Sequence, residues 1–112
     1  MSDTHGATHL DTTSFQSTLD EAGSKPVFVD FFATWCGPCK MAAPVVDELS
    51  SEYHDTAVIA KVDVDENQPL AQQYGVMSIP TVVMFKDGKE VDRVVGFPGK
   101  DGYKKLIDAH LG

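Results

Sequence analysis

Two cysteines, Cys36 and Cys39, are the residues in this sequence best suited to chemistry, and the chain has no others. They lie in Trp35-Cys36-Gly37-Pro38-Cys39-Lys40, beside the single tryptophan. The run before them, Val27-Phe28-Val29-Asp30-Phe31-Phe32-Ala33, is apolar, β-branched and aromatic at strand length, and Met41 to Tyr53 after them carries apolar residues at helical spacing. The pair therefore sits where a strand hands over to a helix. The first turn of a helix leaves backbone N–H groups unpaired and carries a partial positive charge, which stabilises an anion. Cys36, at that end, is expected to be the more acidic sulfur, its pKa pulled below about 8.5 toward neutrality, with Cys39 as the shielded partner one turn inside. Pro38 suits the first helical turn, where its missing N–H is no loss, and Gly37 lets the backbone turn tightly beside an incoming group. Such a pair can close a short disulfide and open it again.

Other uses of two cysteines fit less well. A zinc site needs four ligands, and there is neither a second pair nor ligand spacing among His5, His9, His54 and His110. A purely structural disulfide closing so short a loop would constrain the unfolded chain very little. Two inert core thiols are an equally poor match to a pair that flanks Gly-Pro at a turn. No metal is expected, and a C-x-x-C near a βαβ pattern reads first as a redox motif.

The elements that must hold the sulfurs follow from periodicity. Residues 1 to 8 are small and polar and are expected to form a loose tail ahead of one domain over 9–112. His9-Leu10-Asp11 reads as a short edge strand. Thr12, Thr13 or Ser14 can then cap a helix running to about Ala22, with Phe15 and Leu19 facing inward. After the motif, Ala42, Val45, Val46, Leu49 and Tyr53 form one buried helical face. Pro44 interrupts that helix without stopping its periodicity, so a kink is expected, the alternative being a break at Ala43. Ala57 to Val64 is nearly all apolar and reads as an interior strand, which completes a right-handed βαβ unit. Pro69 to Tyr74 reads as a short helix stopped by Gly75. Thr81–Lys86 and Val91–Val95 flank Asp87-Gly88, a strong hairpin signal. Beyond Gly99 and Asp101 comes a last helix on which Tyr103, Leu106, Ile107 and His110 could share a face.

Two charged residues stand in apolar strands. Asp30 is six residues before Cys36, and a buried carboxyl resists ionising, so a raised pKa and use as a base are expected; the alternative is an outward-facing aspartate at an edge. Lys61, in the adjacent strand, could pair with Asp30 or snorkel to solvent.

At 112 residues the chain is long enough for one core. Its 42% hydrophobic and 23% charged composition is that of an ordinary soluble globule, and a net charge of −8 argues against nucleic acid and anionic membranes as partners. No signal peptide or membrane-length apolar run is visible, and two cysteines in one motif are no disulfide framework, so a reducing cytoplasm is the expected location.

Val29-Asp30-Phe31-Phe32-Ala33-Thr34-Trp35-Cys36-Gly37-Pro38-Cys39-Lys40-Met41 resembles the active-site segment of the thioredoxin family, and the resemblance continues to the C-terminus. It implies an α/β thioredoxin fold, a central mixed five-stranded sheet flanked by about four helices. It also implies a monomeric protein dithiol–disulfide oxidoreductase with no bound cofactor, acting on disulfide-containing proteins and recycled by a thioredoxin reductase that draws on NADPH. By the same resemblance Asp30 helps to deprotonate Cys39 through water, with Lys61 beside it. Pro80 is cis, where the sequence alone would favour trans. The backbone of Ile79 would pair with a substrate strand. Trp35, Gly37, Pro38, Val76, Ile79, Gly96 and Phe97 would gather as a flat apolar patch, although Val76 reads more naturally as core. Phe32 stands where many bacterial relatives carry tryptophan, Ser78 where glycine is common, and Gly96-Phe97-Pro98-Gly99 is bulkier than the usual turn. A disulfide-forming oxidase and a non-enzymatic docking subunit are the competing functional readings.

Overall fold

The computed structural model describes residues 6–112. In chain order it has β1 (Thr8–His9), α1 (Phe15–Ala22), β2 (Val27–Phe32), α2 (Gly37–Glu52), β3 (Val58–Asp63), α3 (Gln68–Gln73), β4 (Thr81–Lys86), β5 (Lys89–Val95) and α4 (Lys100–Asp108). The strands make one sheet in the order β1-β3-β2-β4-β5, parallel across β1, β3 and β2 and antiparallel across β2, β4 and β5. The expected mixed five-stranded sheet with four helices is therefore what forms, and β3 is interior as its composition requires.

Strand β2 lies at the centre, and its alternation divides the core. Phe28 and Asp30 point to one face, where Ala42, Val46 and Leu49 of α2 and Tyr103 and Ile107 of α4 pack with Val82 and Met84. Val27, Val29 and Phe31 point to the other, against Phe15 and Leu19 of α1 and Leu70 of α3. A carboxyl at Asp30 is thus carried into the interior by the same pattern that buries its apolar neighbours.

Most of the tail expected over residues 1–8 lies outside the described residues. Its last two residues are held to the domain: Ala7 is buried, with its N–H donating to Asp47 Oδ1 at 3.1 Å, and the exposed Thr8 pairs with Ala60 in β1. The edge strand accordingly runs over Thr8–His9, one residue earlier than expected, with Leu10 N–H still donating to the Lys61 carbonyl. The α1 cap also differs. No Ser14 or threonine side chain caps α1; Asp11 Oδ1 accepts from the N–H groups of Thr13 and Ser14, because a carboxylate satisfies several orphan donors at once.

Pro44 stays inside a continuous α2. Beyond it the helix is tied to α4: Lys100 Nζ reaches Glu48 Oε1 at 3.0 Å and also pairs with Glu52, Lys104 lies 3.6 Å from Glu52, and Tyr53 Oη donates to Asp108 at 2.7 Å. Asp87 and Gly88 both have positive φ, 54° and 80°, which matches the twist of the β4–β5 hairpin. Strand β5 begins at Lys89 rather than Val91, with a register irregularity opposite Met84 and Phe85. His110 falls beyond α4 instead of on its inner face, where its Nε2 meets Asp92 Oδ2 at 2.9 Å.

Candidate active site

Cys36 is the N-cap of α2, and its extended backbone (φ −84°, ψ 118°) turns the chain from β2 into the helix. Cys36 and Cys39 are joined as a disulfide, with Cα atoms 5.2 Å apart. Cys36 Sγ accepts the Cys39 N–H at 3.2 Å, so the sulfur occupies the place that an N-cap oxygen usually takes. Its other neighbour is the Ile79 carbonyl oxygen at 3.8 Å; a disulfide sulfur has no proton to donate, so this is a packing contact in the oxidised state. The Ile79–Pro80 bond is cis, as the family resemblance implies and against the statistical default.

The expected contrast in exposure between the two sulfurs is absent. Cys36 is 5% exposed and Cys39 3%, both packed with Ala33, Phe32 and Ile79. Their surroundings differ instead. Cys36 is flanked by exposed Trp35, Gly37 and Pro38, whereas Cys39 faces inward onto a cleft of about 240 Å³ that Asp30, Phe32 and Lys61 line from the sheet and Lys40 and Ala43 from α2.

Asp30 is 1% exposed, and its Oδ1 is buried with no hydrogen-bond partner. Burial raises its pKa to about 6, partly offset by the charge of Lys61. Lys61 neither pairs with Asp30 nor snorkels free. It is buried next to Asp30 in the β2–β3 register, with Nζ 4.0 Å from Asp47 Oδ1 and 5.3 Å from the centre of the Phe32 ring. It therefore acts on the carboxyl through space, and Phe32 supplies a ring face to the ammonium.

The apolar patch is only partly as expected. Trp35 is 68% exposed and Ile79 packs on the sulfurs, while Val76 is packed against the core on the α1 side and Gly96 is half-buried. Phe97 turns inward, its ring 5.4 Å from that of Tyr103. Two residues that sequence reasoning missed are Met41 and Met77, 68% and 95% exposed. Met41 falls beside, not on, the inward stripe of α2, and Met77 sits two residues before Ile79 in a non-helical stretch with no periodicity to read. Asp65 was missed too: its Oδ2 accepts from Trp35 Nε1 at 2.8 Å. Parallel β2 and β3 deliver their following loops to the same end of the sheet, which brings these two residues together from thirty positions apart.

This bond fixes the only tryptophan beside the disulfide, and a disulfide quenches a nearby indole. Trp35 emission should therefore rise on full reduction with dithiothreitol; an unchanged spectrum would place the ring away from the sulfurs.

The comparisons agree with this geometry. The thioredoxin family model matches residues 6–109. A thioredoxin of Staphylococcus epidermidis is 56% identical over 99 residues, covering 88% of this chain and 92% of that protein. One of Staphylococcus aureus is 58% identical over 83 residues, covering 74% and 80%. Among solved structures, the thioredoxin of Fasciola hepatica superposes with a TM-score of 0.86 at 39% identity, covering 92% of this chain and 98% of its own. A mutant thioredoxin from Halobacterium salinarum gives 0.86 at 38% identity over 100% and 96%. With a disulfide joining the N-cap of α2 to its first turn, a cis proline opposite it and a carboxyl buried beneath, the chain belongs to the thioredoxin family, whose members are protein dithiol–disulfide oxidoreductases.

Proposed function

We propose that the protein is a general reductant of protein disulfides, with Cys36 as nucleophile and Cys39 as resolving thiol. The observation that carries this is the position of Cys36 Sγ at the head of α2, where a backbone N–H already points at it. Cys36 thiolate attacks one sulfur of a substrate disulfide, forming a mixed disulfide and expelling the other substrate sulfur as thiolate. Cys39 then loses its proton to Asp30 by way of the intervening cleft and attacks Cys36 Sγ. The mixed disulfide breaks, the substrate leaves with both sulfurs reduced, and the protein keeps the Cys36–Cys39 disulfide. Two electrons have passed to the substrate. Lys61 tempers the pKa of Asp30 and keeps it near the working pH.

An extended substrate segment pairs with the backbone at Ile79, beside Pro80. It rests on Trp35, Gly37 and Pro38, with Gly96 and Phe97 shaping the far wall. A thioredoxin reductase using NADPH restores the dithiol, and no cofactor binds to this chain. The protein works as a monomer in a reducing cytoplasm on disulfide-containing proteins, not on nucleic acid or membranes. Its acidic net charge supports the exclusion of nucleic acid and anionic membranes.

The test is to supply oxidised protein to a thioredoxin reductase with NADPH and follow absorbance at the nicotinamide band. One NADPH should be consumed per protein, and continuous turnover should begin when a disulfide protein such as insulin is added. The Cys36→Ser variant should support neither, and no consumption by the wild type would overturn the reductant assignment.

A further inference from the structure

Cys39, Ala43 and Asp47 follow one another at four-residue spacing and so form a single stripe along α2. The first two line the cleft, and Asp30 and Lys61, partners in the β2–β3 register, line it from the sheet. Lys61 reaches along the cleft to the third. Its Nζ lies 4.0 Å from Asp47 Oδ1, an ion pair without a direct hydrogen bond, and its side chain is only 10% exposed. The same Oδ1 accepts the Ala7 N–H at 3.1 Å, and one turn further along α2 Ser50 Oγ donates to the Gly6 carbonyl at 3.2 Å. The segment leading into β1 thus pins the Asp47 carboxylate where Lys61 meets it.

We propose that Asp47 is a positioning residue: it draws the Lys61 ammonium toward α2 and away from Asp30, so that the base for Cys39 stays a good proton acceptor. The inference rests on the reading of Asp30 as that base. A buried ammonium needs a counter-charge, and two carboxylates compete for this one. Close pairing with Asp30 would favour its ionised form and leave it a weak base at neutral pH. Pairing with the half-exposed Asp47 avoids this, and burial still outweighs the Lys61 charge at Asp30, whose pKa stands at about 6. The other groups around Asp30 do not offer the same control. Cys39 is held in the disulfide, Lys40 lies on the α2 wall of the cleft, and Val82, the partner on β4, is apolar. Tyr103 of α4, packed on the same face of the sheet, keeps its proton because burial raises its pKa. Lys61 alone stands between two carboxylates.

Asp47→Asn keeps the shape of the side chain and its acceptor for Ala7 while removing the charge that holds Lys61. In the oxidised protein, where neither cysteine titrates, the Asp30 carboxyl carbon followed by NMR should titrate about one pH unit lower in this variant, a tenfold rise in its acid dissociation constant. Lys61→Met should move the midpoint upward, since it removes the opposing charge. In the Lys61→Met background, Asp47→Asn should then leave the midpoint nearly unchanged, because the aspartate acts through the lysine. A merely structural aspartate would change stability and leave the Asp30 midpoint in place. An unchanged or raised midpoint in Asp47→Asn would overturn the proposal, as would an unmoved midpoint in Lys61→Met. Equal shifts with and without the lysine would overturn it too, since they mark direct repulsion between the carboxylates. Failure of the base assignment is separate and would appear as unaltered turnover in Asp30→Asn.

Discussion

Cys39→Ser should accumulate mixed disulfides with substrate proteins, seen as heavy bands without reductant that vanish with it, whereas Cys36→Ser should trap almost nothing. The first variant can attack but cannot resolve; the second retains only a thiol that faces the Asp30 cleft. The difference should be large. Stabilisation of the Cys36 thiolate by the N-terminus of α2 raises its reactive fraction at neutral pH, before accessibility is counted. Cys36 lies beside exposed Trp35, Gly37 and Pro38, whereas Cys39 faces the cleft. Iodoacetamide at slightly acidic pH should accordingly label Cys36 well ahead of Cys39. A better trap in Cys36→Ser, or earlier alkylation of Cys39, would reverse the assignment of nucleophile and resolving thiol.

Asp30→Asn should separate stability from chemistry. The carboxyl ionises at about 6 in the folded protein against a reference of 3.8, because burial penalises its charge. The unfolded chain therefore gives up this proton first, and folding stability falls as pH rises through that window, by about 3 kcal/mol in all. Asparagine resembles the neutral acid in size and polarity. The variant should match wild type near pH 3.5 and exceed it at pH 7, with a gain in Tm on the order of 10 °C. Chemistry should move the other way. Resolution of a pre-formed mixed disulfide at pH 7 should slow roughly a hundredfold without its proton acceptor, and the fall in rate expected of wild type as pH drops through 6 should be absent. Equal stability at pH 7 would mean that the carboxylate is already compensated in the fold. Unaltered turnover across the pH range would reduce Asp30 to a structural residue.

The sequence carries most of what places the sulfurs, because those features are local. Strand-length apolar runs, a helical stripe that continues across Pro44, and Asp87-Gly88 between β4 and β5 each express a backbone preference that tertiary packing does not oppose. What escapes sequence reasoning depends on which distant groups meet. Nothing in the local pattern pairs Trp35 with Asp65, or Lys61 with Asp47 rather than Asp30; the first follows from the parallel strands ending at the same edge, the second from α2 lying across β3. Phe97 turns inward because Tyr103 offers an aromatic surface, and Asp11 outcompetes Ser14 as a cap because a carboxylate can accept from two backbone donors together. The near-equal burial of the two cysteines follows from where they pack, since both meet Ala33, Phe32 and Ile79.

Pro44 gives α2 a mechanical seam. Having no N–H, it leaves the Lys40 carbonyl without its usual partner one turn back, so the ladder of bonds that stiffens a helix is interrupted between the sulfur-bearing turn and the remainder. Everything after the seam is anchored, through Lys100 and Lys104 to Glu48 and Glu52 and through Tyr53 to Asp108. Everything before it carries the part that must rearrange at each turnover, as two sulfurs alternate between a covalent bond and mere contact. The helix thus divides into a turn that carries the redox pair and a remainder braced against α4, with the missing hydrogen bond between them.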